Sequence, residues 1–244
     1  MQPALRTLLG GKRLLLAVAA GSEARATRAA LDAPQETPEW ALDPCTPGVD
    51  LLRTGIGKAN AAGAVARFLD PARHAAVLSA GIAGALPAPE RGSGAIDEFA
   101  ADLGEVLVAT HSVFADEGLD APSGFVECAA MGFPLGAFPG SGVPTDDALR
   151  RVLAPLGRPV RLATVSTCSG TDALARRIAA RTSAAAEAME GAAVALVALR
   201  LGVAFGEVRV VSNTTGDRPR QRWDLQGALS RLGDVIGRLA GSRP

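Results

Sequence analysis

The chain has 244 residues with 25 Lys+Arg against 25 Asp+Glu, so its formal net charge is zero. That length and a 48% apolar share leave room for a large core and exclude a disordered chain. Neutrality without a basic block argues against a nucleic-acid or anionic-membrane binder, and no apolar run approaches the roughly 20 residues that span a bilayer.

In chain order, residues 1–12 read as a flexible N-terminal extension to one domain occupying 1–244. Arg6, Lys12 and Arg13 then lead into the apolar run Leu14–Ala20. That outline fits a secretory signal, and equally a buried first strand of a parallel sheet; the motifs further along favour the strand. A helix is expected over Ser22–Leu31, then a Pro/Gly-rich loop or pocket edge over Ala33–Gly48. Strand Asp50–Thr54, helix Ala59–Leu69 and strands Ala76–Ala80 and Glu105–Ala109 come next. A second irregular stretch, Gly118–Pro144, carries Phe125, Phe133 and Phe138, which suit a lid, a subunit contact or plain core. Strand Arg161–Val165, helices Thr171–Ala180 and Met189–Leu201, strand Glu207–Ser212 and helix Leu225–Leu239 complete the pattern. Such alternation predicts an α/β chain: a single three-layer αβα domain with a mainly parallel, mixed central sheet.

Four segments could carry chemistry. Thr54–Ala62 places Gly55 and Gly57 at a strand end opening a helix, where backbone can approach a ligand and free N–H groups favour an oxygen. Gly81-Ile82-Ala83-Gly84 reads as a glycine turn after a buried strand, where parallel sheets bind ligands. In Ala186–Ala193, Glu187 suits a charge complementing a helix dipole. Glu190, beside small residues, could accept hydrogen bonds from a vicinal diol such as ribose hydroxyls. Asn213, at the end of the last strand, offers the donor and acceptor that a purine edge needs, or a simple Asn turn. Cys45, Cys128 and Cys168 lack metal-ligand spacing and read as reduced thiols of a cytoplasmic protein. With His74 and His111 the only histidines, no metal site is expected.

Taken in this order, the segments resemble the nucleoside phosphorylase and nucleosidase family over about Arg13 to Ile236. The resemblance implies that Glu23 activates water, that Met189 and Glu190 contact the ribose, and that Gly81 and Ile82 line the substrate. It also implies that Ser212-Asn213 meets the base. Three departures refine it: Asn213 stands where adenine-specific members carry aspartate, Ile82 replaces a polar residue, and Ala188 replaces a carboxylate. An amide can donate to O6 and accept from a protonated N7, which suits a 6-oxopurine such as hypoxanthine. With the run Arg220–Leu225, these departures resemble the branch of the family that hydrolyses a hypoxanthine nucleoside. The expectation is therefore a cofactor-free N-glycosidic hydrolase acting on a small purine nucleoside, with homo-oligomeric assembly implied by the family.

Overall fold

A computed structural model of the chain describes residues 1–33, 36–88, 96 and 98–241. The apolar run near the N-terminus forms strand β1 (Arg13–Val18), buried on both faces. Leu14, Leu16 and Val18 pack with α2 (Gly21–Ala30) and α7 (Leu225–Ala240). Leu15 and Ala17 face the other way, onto α3 (Lys58–Phe68) and α6 (Gly191–Arg200). The period of two thus splits one uninterrupted apolar run between two helix layers, which is why the run does not alternate with polar residues. Each fully buried leucine contributes about 1.5–3 kcal/mol.

The main sheet is mixed and mostly parallel. Its order is β10 (Ala186–Ala188), β9 (Arg158–Thr164), β5 (Val106–Phe114), β11 (Ala204–Thr214), β4 (His74–Ala85), β1, β3 (Val49–Arg53) and β2 (Ala41–Thr46), with β8 (Gly142–Pro144) on β5. The short strand β10 runs parallel to β9 and antiparallel to β4. It therefore closes β4, β11, β5, β9 and β10 into a ring at one end of the sheet. The remaining helices are α4 (Asp147–Leu153) and α5 (Asp172–Thr182).

Several expectations change. Residues 1–12 are not a loose extension: helix α1 (Pro3–Leu9) buries Leu5 and Leu9, four apart and so on one face, in the same cluster as α7. The Gln2 N–H donates to the Leu239 carbonyl at 3.1 Å, fastening the segment. Ala33–Gly48, expected as a loop or pocket edge, contains β2 among its prolines, and residues 34 and 35 lie outside the described residues. Gly118–Pro144 holds a hairpin, β6 (Gly118–Ala121) with β7 (Gly124–Glu127), as well as β8. Phe138 joins the core, whereas Phe133 is 72% exposed. The Gly81–Gly84 segment is no turn: β4 continues to Ala85, with Gly81 and Gly84 paired to Arg209 and Asn213 of β11. Among the described residues no helix is long and apolar enough to cross a membrane.

At the opposite end of β1, the fully buried Asp50 ties three elements together. It accepts from Arg13 Nε at 2.8 Å, Arg73 Nε at 2.6 Å and His74 Nε2 at 3.0 Å. His74 Nδ1 accepts from the Asp70 N–H, leaving Nε2 as the donor. Burial pushes the Asp50 carboxyl up, but the bonds from Arg73, Arg13 and His74 outweigh it and hold the group below the usual carboxylate range. A folded-state value below the unfolded one adds stability that is full above the unfolded value and lost as pH falls through the folded one. Asp50→Asn should therefore cost about 1–3 kcal/mol at neutral pH. Urea unfolding across an acidic pH series should show wild type losing stability toward low pH and the variant lacking that component.

Candidate active site

Where β4, β10 and β11 meet the first turn of α2 and the start of α6, the chain buries an arginine among carboxylates. Arg209 of β11 is 1% exposed. Its Nε donates to Glu207 at 2.8 Å, and its terminal nitrogen donates to Ser79 Oγ at 3.0 Å and lies 3.4 Å from Glu190. Burial disfavours the guanidinium charge, but Glu207, Glu190 and Glu23 outweigh it and push the Arg209 pKa up. Glu207 is held in turn by a short hydrogen bond from the Ser112 hydroxyl. Gly191, the first residue of α6, makes room for it: a Cβ there would stand 2.1 Å from a Glu207 oxygen.

Glu23 occupies the third position of α2 and is 3% exposed. One oxygen accepts from the Ala19 and Ala20 N–H groups at 3.0 and 2.8 Å, the returning half of a capping box. The other accepts from the Ile82 N–H at 2.9 Å, binding the helix start to β4. Gly81 permits this approach, since a Cβ there would lie 2.3 Å from Glu23 Oε1 and 2.6 Å from the Arg209 guanidinium. Its role is close approach rather than a turn.

Glu190 sits at the position preceding α6 and is 6% exposed. Its Oε1 accepts from the Gly57 N–H at 3.0 Å, so the free donor at the start of α3 meets a carboxylate of the chain itself. Gly57 adopts φ 93, a left-handed conformation that favours glycine. Burial pushes the Glu190 carboxyl up, with Arg209 and the Gly57 N–H opposing it. The Lys58 ammonium bridges Asp116 and Glu117 at 2.6 and 3.0 Å, fastening the same turn to the loop after β5. Met189 is half-buried, its sulfur 3.5 Å from Cys168 Sγ.

Asn213 follows a bulge in β11, a device that re-aims a side chain. Its Oδ1 accepts from the Ser212 hydroxyl at 2.9 Å and its Nδ2 donates to the Thr214 carbonyl at 3.0 Å. It lines a cavity of about 340 Å³ together with Gly84, Ser169, Glu187, Gln221 and Trp223. Glu23, Glu190, Met189, Gly81 and Ile82 are not in that lining, so the predicted residues fall into two adjoining groups joined through β4, β11 and the Met189-Glu190 pair. A larger cavity of about 520 Å³, beside α5 and β9, contains none of them. Among the described residues no cluster of His, Cys, Asp and Glu is arranged as metal ligands.

Two buried groups escaped the sequence reading, and a third, Glu187, takes a different place from the one expected. Glu207 and Arg209, two apart in a run of valines, were legible as a same-face charge pair inside a buried strand. Glu187 is on β10 rather than near a helix start, too short a strand for periodicity to reveal. It accepts from the Ser169 N–H and hydroxyl, both at 2.6 Å, while burial pushes its carboxyl up.

Comparison with known proteins places this geometry. Residues 48–240 match the Phosphorylase superfamily. A futalosine hydrolase of Acidothermus cellulolyticus is 36% identical, covering 93% of this chain and 90% of its own; one of Streptomyces coelicolor is 35% identical, covering 93% and 94%. Two solved structures share the fold at a TM-score of 0.73. A futalosine hydrolase mutant of Helicobacter pylori is 17% identical over 95% of this chain and 99% of its own. A 5′-methylthioadenosine/S-adenosylhomocysteine nucleosidase of Colwellia psychrerythraea, solved with adenine, is 19% identical over 96% of each chain. On the family match and the identity to these relatives, the chain belongs to the phosphorylase superfamily and, within it, to the futalosine hydrolase family.

Proposed function

We propose that the protein hydrolyses the N-glycosidic bond of futalosine, releasing hypoxanthine and dehypoxanthinyl futalosine in the alternative route to menaquinone. The observation that carries this reading is Asn213: an amide, oriented by Ser212 and Thr214, facing the cavity beside the acid cluster. The second Nδ2 hydrogen is left for a 6-oxopurine edge.

In the reaction a water oxygen bonds to C1′ as the C1′–N9 bond breaks, and the bond's electron pair leaves with the base. Asn213 stabilises the charge developing there by donating a preoriented hydrogen bond, and the base takes up a proton from solvent, balanced by the water proton that Glu23 accepts and then returns to solvent. Glu23 accepts the proton of the attacking water. An ionised carboxylate has about four lone-pair sites; backbone N–H groups occupy three on Glu23, orienting it and leaving one for water. Glu190 holds the ribose hydroxyls and opposes the positive charge of the oxocarbenium-like sugar, and Met189 packs on the sugar face. Water is favoured over phosphate because a carboxylate, Glu23, stands where the nucleophile must sit, and the buried Arg209 is already paired with Glu207 and Glu190. We also place the protein in the cytoplasm as a homo-oligomer: its three cysteines are free thiols, which suits a reducing compartment.

Incubated with futalosine, methylthioadenosine or inosine, the protein should release hypoxanthine from futalosine at the same rate with and without phosphate. Product chromatography that detects base only from methylthioadenosine would assign the site to an adenine nucleoside instead. Glu23→Gln should lower kcat by about 10²–10⁴ with KM little changed. Asn213→Asp should move preference toward 6-aminopurine nucleosides, read as a ratio of kcat/KM values. Gly81→Ala, by pushing Glu23 aside, should cost at least about tenfold in kcat while circular dichroism stays native.

A further inference from the structure

Glu187 is buried, is not used in the hydrolytic step, and opens onto the cavity that holds Asn213. Its place in the sheet explains how. Gly84 of β4 pairs with Asn213 of β11 on one side and with Glu187 of β10 on the other. Laterally paired residues project to the same face of a sheet, and neighbouring strands lie about 4.8 Å apart, so the acid and the amide stand roughly 10 Å apart across Gly84. Gly84 presents no side chain between them, and a Cβ there would already touch Asn213 Nδ2 and Thr215 Cγ2 at 3.0 Å. The result is a slot with a bare floor, an amide on one wall and a carboxyl on the other, its rim formed by the Trp223 ring with the Arg218 guanidinium 4.5 Å from the ring centroid.

We propose that Glu187 is a specificity-determining residue: its carboxylate accepts a hydrogen bond from the N1–H of a 6-oxopurine while Asn213 engages the opposite, N7/O6 side of the same base. This rests on the nucleosidase reading and names what that site discriminates. The chemistry is asymmetric in the useful direction. A 6-oxopurine presents a donor at N1, whereas a 6-aminopurine presents a lone pair there, which a carboxylate repels. Ser169 supplies two donors to Glu187, one to each oxygen, leaving an acceptor position on each. The backbone donor, which does not depend on the side chain at 169, holds the carboxyl in place, and a buried acceptor so held rejects a ligand lacking the matching N–H far more strongly than an apolar wall does.

The test uses free bases as competitive ligands of the intact protein, measured by calorimetry. Wild type should bind hypoxanthine at least about tenfold more tightly than adenine and than 1-methylhypoxanthine, in which N1–H is replaced by a methyl group. Glu187→Gln, whose amide can donate to N1, should shrink the hypoxanthine-to-adenine ratio at least about tenfold; Ser169→Ala, which keeps the carboxyl, should leave the ratio within about threefold. Equal binding of hypoxanthine and 1-methylhypoxanthine by wild type overturns the proposal without any variant, so a misfolded Glu187→Gln protein cannot shelter it. An unchanged ratio in folded Glu187→Gln, or the same loss in Ser169→Ala, also overturns it by reducing Glu187 to a loop anchor. If wild type releases no base from futalosine and binds no hypoxanthine, the nucleosidase reading itself has failed, a different result from a hydrolase indifferent to N1.

Discussion

A guanidinium removed from water organises the rest of this site. Arg209 is almost wholly buried, and a buried charge without partners would cost several kcal/mol; the chain surrounds it with Glu207, Glu190 and Glu23. Those carboxylates come from separate pieces of the fold: Glu207 from the same strand, Glu190 from the entrance to α6, Glu23 from the first turn of α2. For Glu190 burial pushes the carboxyl up, and the Arg209 charge opposes that push. The arginine lets acids be packed together, and in the proposed reaction those acids lie beside a positively charged sugar.

Such density is possible because side chains are missing where the acids converge. Gly81 lies under Glu23 and Arg209, and Gly191 under Glu207. Neither glycine has positive φ, so the requirement there is volume rather than backbone freedom. Gly57 is the contrasting case, where the backbone conformation itself aims an N–H at Glu190. The same residue type thus serves two physical ends within one site, and both bear on the carboxylates.

Long, doubly buried elements were legible in the sequence. β1, α2, α3, α6 and α7 announce themselves through apolar runs or helical spacing, and Glu23, Glu190 and Asn213 could be picked out because a family resemblance supplied their context. What was not legible depended on partners distant in sequence. β10 is three residues long and exists because β9 and β4 flank it. α1 is one short amphipathic stretch whose stability comes from docking Leu5 and Leu9 beside α7. Gly81-Ile82-Ala83-Gly84 has turn composition, yet pairing with β11 along its length and with β10 at Gly84 keeps it extended. Local propensity lost to tertiary pairing in each case.

The ring closed by β10 also bears on how such a pocket can change over evolutionary time. A strand laddered on both edges cannot slip by one residue without breaking two sets of hydrogen bonds and turning its middle side chain to the other face. The end of the sheet that carries Asn213 and Glu187 therefore behaves as a fixed jig. Divergence in substrate among proteins that keep this ring is then confined to exchanging one side chain for another at set stations, and new base preferences should arise by abrupt replacement rather than by gradual drift of a loop.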